Sequence, residues 1–280
     1  ELLDLGDRHP PGHGAQGVEV AGGRAEDEVA VPVALPGAHE GEVGGDGLLD
    51  VTAGAGLGRV EGPQGRLVGA EVGMREDGLN RLQQSALPMV LIDRKIPEFA
   101  CDVVGLDNTQ AATTATEHLV EKGFEALLFL SEPLGSVNTR RERLSAFRQT
   151  LLRHAGIVAE NAEVPLNDGA MLDNVLRHFH SHHRGMRKAV ISANGALTLQ
   201  VARSLKRVGL IWGSDIGLLG FDELEWAELA GVGITTLKQP TWQIGFAAVE
   251  QVVRRIEGSN DPVCERVFSG ELIVRGSTSR

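Results

Sequence analysis

The pattern of hydrophobic and polar positions changes near residue 85. From residue 86 onward, short apolar runs, which predict buried strands, alternate with stretches whose apolar residues recur at helical spacing. The predicted strands are 86–93, 101–107, 124–131, 188–193, 215–221, 233–237 and 265–275, and the predicted helices are 108–123, 139–156, 171–183, 196–209 and 241–258. This alternation implies right-handed crossovers and a parallel sheet with helices on both faces. The predicted fold class is therefore α/β.

Local signals mark the ends of the predicted helices. Asn108 is suited to cap the N-terminus of the first helix, and Gly123 is suited to end it. Gly156 and Gly209 are likewise suited to end two later helices.

Residues 1–84 do not follow this pattern. They contain no Ile, Lys, Phe, Tyr, Trp, Cys or Ser, and 19 of the 36 glycines of the chain lie there. A packed α/β core needs β-branched and aromatic residues in its strands and lysine on its helices. Three interpretations compete: a flexible glycine-rich segment, a weakly specified first lobe, or a GC-rich gene read in the wrong frame or strand. The third is favoured, because the bias follows codon composition rather than any structural type.

Length, charge and cysteine content narrow the class of protein. A chain of 280 residues accommodates one or two domains. Residues 1–84 carry 15 acidic and 6 basic residues, and the remainder carries 23 acidic and 21 basic, so the net charge of −11 comes mostly from the first third. Neither part has the basic stripe that binds nucleic acid. The sequence shows no export signal and no apolar run long enough to cross a membrane. Cys101 and Cys264 lie far apart in sequence, so a disulfide framework is not expected. We therefore expect a cytoplasmic protein without a membrane partner.

Candidate binding residues follow the predicted strands, where loops lead into helix N-termini. Thr139 and Arg143 lie one turn apart on one face of a predicted helix. Asn194 stands at a strand-to-helix turn, Asp222 directly follows an apolar strand, and Gln239 precedes a proline. A carboxylate, a guanidinium and amide or hydroxyl groups together suit a polyhydroxylated ligand. Each residue alone is also explained as a helix cap or a solvated side chain, so the prediction depends on their convergence.

Aromatic and histidine residues add weaker signals. Trp226 and Trp242 are candidates for stacking on a sugar face, although core packing explains them about as well, and Trp212 is assigned to the core. Four histidines crowd residues 178–183 at a helix end, where the helix dipole favours solvent-facing histidines, so no metal site is predicted. No nucleophile elbow, phosphate-binding loop or zinc-protease motif occurs. The sequence therefore predicts no catalytic residue and no cofactor.

Seven segments resemble, in order, the effector domain of the lactose/galactose repressor family of transcriptional regulators. They are LPMVLIDR, DNTQAATTATEHLVEKGF, TRRERLSAF, ISANGALTLQVARSL, DIGLLGFDELEW, GITTLKQPTWQIGFAAVEQVV and ELIVRGSTS. The resemblance covers about residues 86–280, and the conserved order makes it far more specific than any single motif.

This resemblance implies two similar Rossmann-like lobes with parallel sheets, like those of a periplasmic binding protein, joined by three crossing strands. The N-terminal lobe would comprise residues 1–107 and 241–268, and the C-terminal lobe residues 108–238 and 271–280. It also implies a homodimer with a sugar-type effector in the cleft between the lobes. Operator DNA would be bound only through a helix-turn-helix segment that is absent from these residues.

The resemblance also assigns roles to the candidate residues. Arg143 matches the family's effector-contacting arginine, and Thr139 matches a polar contact one turn earlier. Asp222 matches the aspartate after the Gly-Phe strand, Asn194 matches the asparagine of the Asn-Asp turn, and Gln239 falls on a cleft position.

Two departures and one subfamily signal refine this picture. Gly195 stands where the family has Asp, and Ala146 stands where it has Gly. The segment SEPLGSVNTRRER together with ANG is most similar to the gluconate and 2-ketogluconate repressors, which would give Arg143 a sugar-acid carboxylate to bind.

The favoured function is therefore sensing of a sugar or sugar acid by a transcriptional regulator. The alternative is a periplasmic-type sugar-binding protein of a transport system, which predicts an export signal. An enzyme on a doubly wound fold is a third hypothesis, disfavoured because no nucleophile–base pair or metal site is found.

Overall fold

The computed structural model describes residues 58–62, 65–69, 88–96 and 98–279. Within the first two ranges, β1 (Gly58–Gly62) pairs antiparallel with β2 (Gly65–Gly69). The expectations about the remainder of residues 1–84 lie outside the described residues.

The other described residues form alternating strands and helices. In chain order they are β3 (Val90–Ile92), β4 (Asp102–Leu106), α1 (Asn108–Glu121), β5 (Ala126–Ser131), α2 (Asn138–Leu151), β6 (Val158–Glu163), α3 (Gly169–His182), β7 (Lys188–Ser192), α4 (Gly195–Val208), β8 (Gly217–Phe221), α5 (Glu225–Leu229), β9 (Thr235–Lys238), α6 (Thr241–Ile256), β10 (Glu265–Phe268), β11 (Glu271–Ile273) and a 3₁₀ turn (Gly276–Thr278).

The larger sheet has the strand order β11-β9-β8-β7-β5-β6. All its neighbouring strands are parallel except β11, which pairs antiparallel with β9 at the edge. The predicted α/β class with parallel strands is confirmed.

Alternating side chains of the larger sheet enter two apolar clusters, one on each face, as the period of two in a strand requires. Leu127 and Phe129 of β5 pack under α1 and α2. These helices supply Leu119 and Phe147 to the same apolar cluster. The intervening Leu128 packs on the opposite face, under α3 and α4. These clusters fix the strand ends that carry the candidate residues.

The smaller sheet has the order β10-β4-β3, all parallel, and α6 packs on it. Its described core is a cluster of Val104 with Ile244, Ala247 and Ala248 of α6. A buried ion pair supplements this cluster, because Arg255 donates to both carboxylate oxygens of Asp102, at 2.6 and 2.9 Å.

The chain passes between the two sheets three times, after β4, after β9 and after β10. The prediction of one continuous final strand over 265–275 is wrong, because β10 belongs to the smaller sheet and β11 to the larger one. The break falls at Gly270, whose N–H donates to Gln110 Oε1 at 3.2 Å. A Cβ at Gly270 would lie 2.6 Å from a methyl carbon of Leu237, so this crossing has no room for a side chain.

Other differences from the predicted elements have local causes. The prediction that Asn108 caps α1 is wrong, because Asp107, one residue earlier, accepts the Gln110 N–H at 2.8 Å. Helix α2 ends at Leu151 rather than near Gly156, and β6 and α5 were not predicted. Strand β6 exposes every second residue at a sheet edge, so it lacks a continuous apolar run.

Candidate functional site

Arg143 is the centre of a polar cluster at the carboxyl ends of strands of the larger sheet. Thr139 and Arg143 both lie on the buried face of α2, as their spacing predicts. The guanidinium carbon of Arg143 lies 4.3 Å above the centre of the Phe221 ring, at the end of β8. This aromatic contact holds the planar group flat over the strand end.

Two groups of the protein already bind the Arg143 side chain. Its Nε donates to Asn108 Oδ1 at 2.7 Å, and Nη1 donates to the Ala193 carbonyl oxygen at 2.6 Å. An arginine carries five N–H groups, so three remain without a partner among the described residues. Burial lowers the pKa of Arg143, and the negative charges of Asp222 and Asp93 oppose this effect. Arg143 is thus a cation held in place by the protein, with N–H groups that could donate hydrogen bonds to a ligand.

Asp222 directly follows β8 and has a left-handed backbone with a φ of 73°. Its Oδ2 accepts the Gly195 N–H at 2.8 Å, and its Oδ1 accepts from Gln239 Nε2 at 2.5 Å. A Cβ at Gly195 would lie 3.2 Å from Asp222 Oδ2, which is a physical reason for a residue without a side chain there. The structure therefore brings Asp222 and Gln239 into direct contact.

Asn194 is engaged in protein contacts. Its Oδ1 caps α4 by accepting the Leu197 N–H at 2.8 Å, and its Nδ2 donates to Glu132 Oε2 at 2.5 Å. Glu132 in turn forms an ion pair with Arg140 at 2.8 Å. Asn194 thus acts as a helix cap in this structure. A ligand contact would have to be made in addition to the hydrogen bonds with Leu197 and Glu132, or would have to replace one of them.

Asp93, which the sequence analysis did not single out, faces the same cluster from the smaller sheet. It directly follows β3, as Asp222 follows β8, and it too has a positive φ, of 64°. Its Oδ1 is buried and has no hydrogen-bond partner in the part of the chain that the structure describes. The sequence does carry a signal for Asp93, a charged pair directly after the apolar strand in LPMVLIDR, but such a pair is equally typical of an ordinary strand end.

A second set of polar contacts joins the sheets next to Arg143. The backbone N–H of Lys95 donates to Asn138 Oδ1 at 2.9 Å, and Lys95 Nζ lies 3.4 Å from Glu142 and 2.7 Å from Glu265. The other carboxylate oxygen of Glu142 accepts from Asn108 Nδ2 at 3.0 Å. Because Asn108 also accepts from Arg143, these contacts form a continuous chain from Lys95 to Arg143.

The three tryptophans have different environments. Trp226 is half-buried against the apolar cluster between α3, α4 and the larger sheet, and Trp212 packs on the same cluster with its Nε1 donating to the Ala230 carbonyl oxygen at 3.3 Å. Trp242 is 66% exposed and stacks on Phe246, with ring centres 5.4 Å apart. Of the two stacking candidates, Trp226 therefore packs on the core and Trp242 has a free ring face.

The histidine-rich end of α3 forms ring contacts rather than a ligand set. His178 and His182 stack at 5.4 Å between ring centres, and His183 Nε2 lies 2.6 Å from Glu160. Within residues 88–96 and 98–279, no group of three or more His, Cys, Asp or Glu side chains is arranged to hold a metal ion.

Two cavities lined by described residues lie away from the Arg143 cluster. One, of about 160 Å³, lies at the amino ends of β7 and β8 beside Lys188, and the other, of about 520 Å³, is an apolar groove beside Trp212. The site around Arg143 is recognised by its converging polar groups and not by an enclosed volume.

The fold and the polar cluster together define an α/β domain with two mostly parallel sheets and charged groups from both sheets at their carboxyl ends. Residues 116–278 match the family described as periplasmic binding protein-like domain, and the chain belongs to this family. No helix in the described part of the chain is long and apolar enough to cross a membrane.

Similar proteins include transcriptional regulators of the lactose/galactose repressor type. The HTH-type transcriptional regulator PtxS of Pseudomonas putida is 40% identical over 195 residues, which cover 70% of this chain and 56% of that protein. The HTH-type transcriptional regulator KdgR of Bacillus subtilis is 31% identical over 206 residues, covering 73% and 61%. The chain thus spans little more than half the length of these curated relatives. The resemblance stated from sequence is confirmed, and these relatives are regulators rather than enzymes.

Solved structures show the same fold. The transcriptional regulator CelR in complex with cellobiose matches with a TM-score of 0.60 and 26% identity, over 72% of this chain and 63% of that chain. The periplasmic binding protein/LacI transcriptional regulator from Alkaliphilus metalliredigens, in complex with D-xylulofuranose, matches with a TM-score of 0.61 and 21% identity, over 70% and 72%. The expected periplasmic-binding-protein-like architecture is confirmed.

Proposed function

We propose that the chain is the effector-sensing domain of a cytoplasmic transcriptional regulator and binds a sugar or sugar acid between its two sheets. The observation that supports this proposal is the buried Arg143, which has N–H groups without a partner among the described residues and interacts with Asp93 of one sheet and Asp222 of the other. Ligands of open α/β folds bind at the carboxyl ends of strands. Related regulators with this fold hold cellobiose or D-xylulofuranose.

The chemistry of the cluster favours a ligand with hydroxyl groups and one carboxylate, such as gluconate or 2-ketogluconate. Arg143 would bind the carboxylate, because a guanidinium matches its planar geometry. Asp222, oriented by Gly195 and Gln239, would accept from hydroxyl groups. Thr139 and Asn194 would complete the polar lining, and the free ring of Trp242 remains a candidate for stacking.

We also propose that the lobes follow the two sheets, with residues 1–107 and 241–268 in one and 108–238 and 271–280 in the other. A ligand can bias the angle between such lobes only if it binds the two arrangements unequally, with a typical coupling of about 1–3 kcal/mol. The contacts of Lys95 with Asn138 and Glu142 would change with that angle, since they join the sheets directly.

A homodimer is the proposed assembly, with operator DNA bound through a helix-turn-helix segment outside these 280 residues. The groove beside Trp212 is lined by the exposed apolar side chains of Ile211 and Val232. Burying such a patch against a second copy would remove it from water. Val232→Asp should convert the dimer to a monomer in light scattering, whereas a dimer of unchanged stability would argue against this face.

Calorimetric titration tests the ligand site directly. We expect the chain to bind D-gluconate or 2-keto-D-gluconate, and Arg143→Ala to weaken that binding by about 10- to 100-fold, as expected for loss of a charged hydrogen bond. Arg141→Ala is the matched control, because Arg141 lies two residues away on the same helix and is exposed. Arg143→Lys retains the charge but not the planar fork, so an intermediate loss is expected.

Thermal unfolding of each variant separates loss of the site from loss of the fold. Unchanged affinity in a folded Arg143→Ala protein would contradict the assignment. The intact regulator should also bind its operator differently with and without the sugar acid. A periplasmic-type binding protein would bind the sugar without any such effect on DNA.

A further inference from the structure

Asp93 differs from the other acidic residues of the cluster in its hydrogen bonding. The Arg94 N–H donates to the Ile92 carbonyl oxygen at 2.7 Å, which makes Asp93 the middle residue of a tight three-residue turn with positive φ. The Asp93 carboxyl group interacts electrostatically with Arg143, and its Oδ1 is buried without a donor among the described residues. A non-glycine residue held in such a conformation frequently marks a functional position.

The neighbouring carboxylates, by contrast, are supplied with donors. Asp222 accepts from Gly195 and Gln239, and Glu142 accepts from Lys95 and Asn108. Counting partners within residues 88–96 and 98–279, Asp93 alone among these three carboxyl groups has a buried oxygen with no hydrogen-bond partner. A proton on that oxygen would turn the unpartnered acceptor into a donor.

The charges facing Asp93 explain when such a proton would bind. They are Arg143 and Glu142 from α2, Arg94 from its own turn, and Asp222 from the end of β8. Burial raises the pKa of the Asp93 carboxyl group, the two arginines lower it, and the two carboxylates raise it, with a net upward shift. A further negative charge brought into this cluster would raise the pKa again.

We propose that Asp93 takes up one proton from solvent when a sugar acid binds, and donates a hydrogen bond to the bound anion. This inference rests on the proposed function. Among the described residues, Asp93, Asp222, Glu142 and Glu265 are set against Arg94, Lys95 and Arg143, so a ligand carboxylate would add to an existing excess of negative charge. One proton offsets the added charge, and Asp93 is the carboxyl group whose buried oxygen has no donor among the described residues.

If a proton is taken up with a sugar acid, the pH dependence of binding should differ between charged and neutral sugars. Affinity for D-gluconate should fall as pH rises above the pKa of Asp93 in the free protein, by up to about tenfold per pH unit for one coupled proton. Affinity for D-glucose, if it binds, should be independent of pH, because no charge enters with it. At pH values where Asp93 is already protonated in the free protein, neither ligand should cause proton uptake.

Calorimetry of the full chain with D-gluconate tests this, at about pH 5.5 to 8.5 and in two buffers of different ionisation enthalpy. We expect proton uptake at pH values between the pKa of Asp93 in the free protein and its pKa in the complex, seen as a buffer-dependent heat, and an affinity that falls as pH rises over the same interval. Asp93→Asn imitates the protonated carboxyl group, so it should abolish both effects and bind D-gluconate more tightly than the unmodified chain at high pH. Asp222→Asn should bind more weakly but keep the pH dependence.

The outcomes separate this inference from the function on which it rests. D-gluconate binding with a flat pH profile and no buffer dependence would overturn proton uptake while leaving the proposed function intact. A pH dependence that persists in Asp93→Asn would assign the proton to another group and overturn the role of Asp93. Failure of every sugar acid to bind at any pH would overturn this inference and the proposed sugar-acid ligand, and failure of neutral sugars as well would contradict the proposed function. The buffer comparison uses the unmodified chain, so it does not depend on the folding of a variant.

Discussion

The larger sheet is covered by apolar clusters on both faces, whereas the described part of the smaller sheet has one small cluster and a buried ion pair. The same contrast recurs where the sheets meet. Asp222, at the end of β8, is held by two N–H donors, while Asp93, at the end of β3, has an oxygen for which the described residues supply no donor. One side of the site is thus preorganised, and the other retains an unmet hydrogen bond that a ligand could supply.

The largest effect is expected in the core of the larger sheet. Phe129 is fully buried, with its ring centre 5.3 Å from that of Phe147. Phe129→Ala should lower the free energy of unfolding by about 3–5 kcal/mol, because it leaves a cavity between β5 and α2. Urea denaturation measures this. Leu152→Ala, at a site 86% exposed, should change stability by less than about 0.5 kcal/mol. Equal losses in both variants would contradict the assigned core.

Removing the preorganised carboxylate should have the next largest effect. Asp222→Ala deprives the Gly195 N–H and Gln239 of their acceptor, so we expect a loss of about 2 kcal/mol of unfolding free energy. Asp222→Asn keeps an acceptor oxygen and should lose less. If Asp222→Ala were as stable as the unmodified protein, these two bonds would not stabilise the strand end as argued.

The ion pair of the smaller sheet should show its effect locally. Arg255→Ala leaves Asp102 buried without its partner, so amides of β4 should exchange with deuterium on the order of tenfold faster or more. Amides of β7, in the larger sheet, serve as the internal control and should be unaffected. Uniform acceleration in both sheets would show that they unfold as one unit.

Low pH should also weaken the ion pair between Asp102 and Arg255 in the smaller sheet. Burial raises the pKa of Asp102, but hydrogen bonds from Arg255 and the Cys264 N–H outweigh burial and hold it well below its usual range. A carboxyl group with a lowered pKa contributes stability above its unfolded pKa of about 3.9, and this contribution is lost as pH falls. Protection of β4 should therefore decrease with acidification, and much less so in Arg255→Ala.

The smallest effect is expected at Asp93. Asp93→Gly removes the strain of positive φ and a buried acceptor without a partner, so it should stabilise the fold by up to about 1 kcal/mol. Asp93→Ala keeps the strained backbone and should gain less. A loss of stability in Asp93→Gly would show that the carboxylate stabilises the fold, and the contrast with Asp222 would disappear.

Much of this architecture could be predicted from sequence, because buried parallel strands are continuous apolar runs and helices carry their own stop signals. Gly123 and Gly209 have the positive φ expected after α1 and α4. The pairing of Thr139 with Arg143 followed from helical spacing. Domain boundaries and ligand contacts remain predictions.

What the sequence could not predict depends on contacts between distant residues. Asn108 has a side chain suited to capping, but Asp107 precedes it and takes that role, so Asn108 is free to bind Arg143. The aspartate of LPMVLIDR looks like an ordinary charged strand end until the second sheet brings Arg143 to it. The segment ERVFSGELIVR reads as one strand, because the crowding that divides it at Gly270 comes from Leu237.

The three crossings between the sheets have a topological consequence. Cutting the backbone at any single crossing leaves at least one fragment that still threads both sheets, so a protease acting there cannot release an intact half of the molecule. A single nick would yield two intertwined fragments that migrate together until denatured. Excising either half as an independent module would require joining its two separate chain segments in a new gene, and no truncation would suffice.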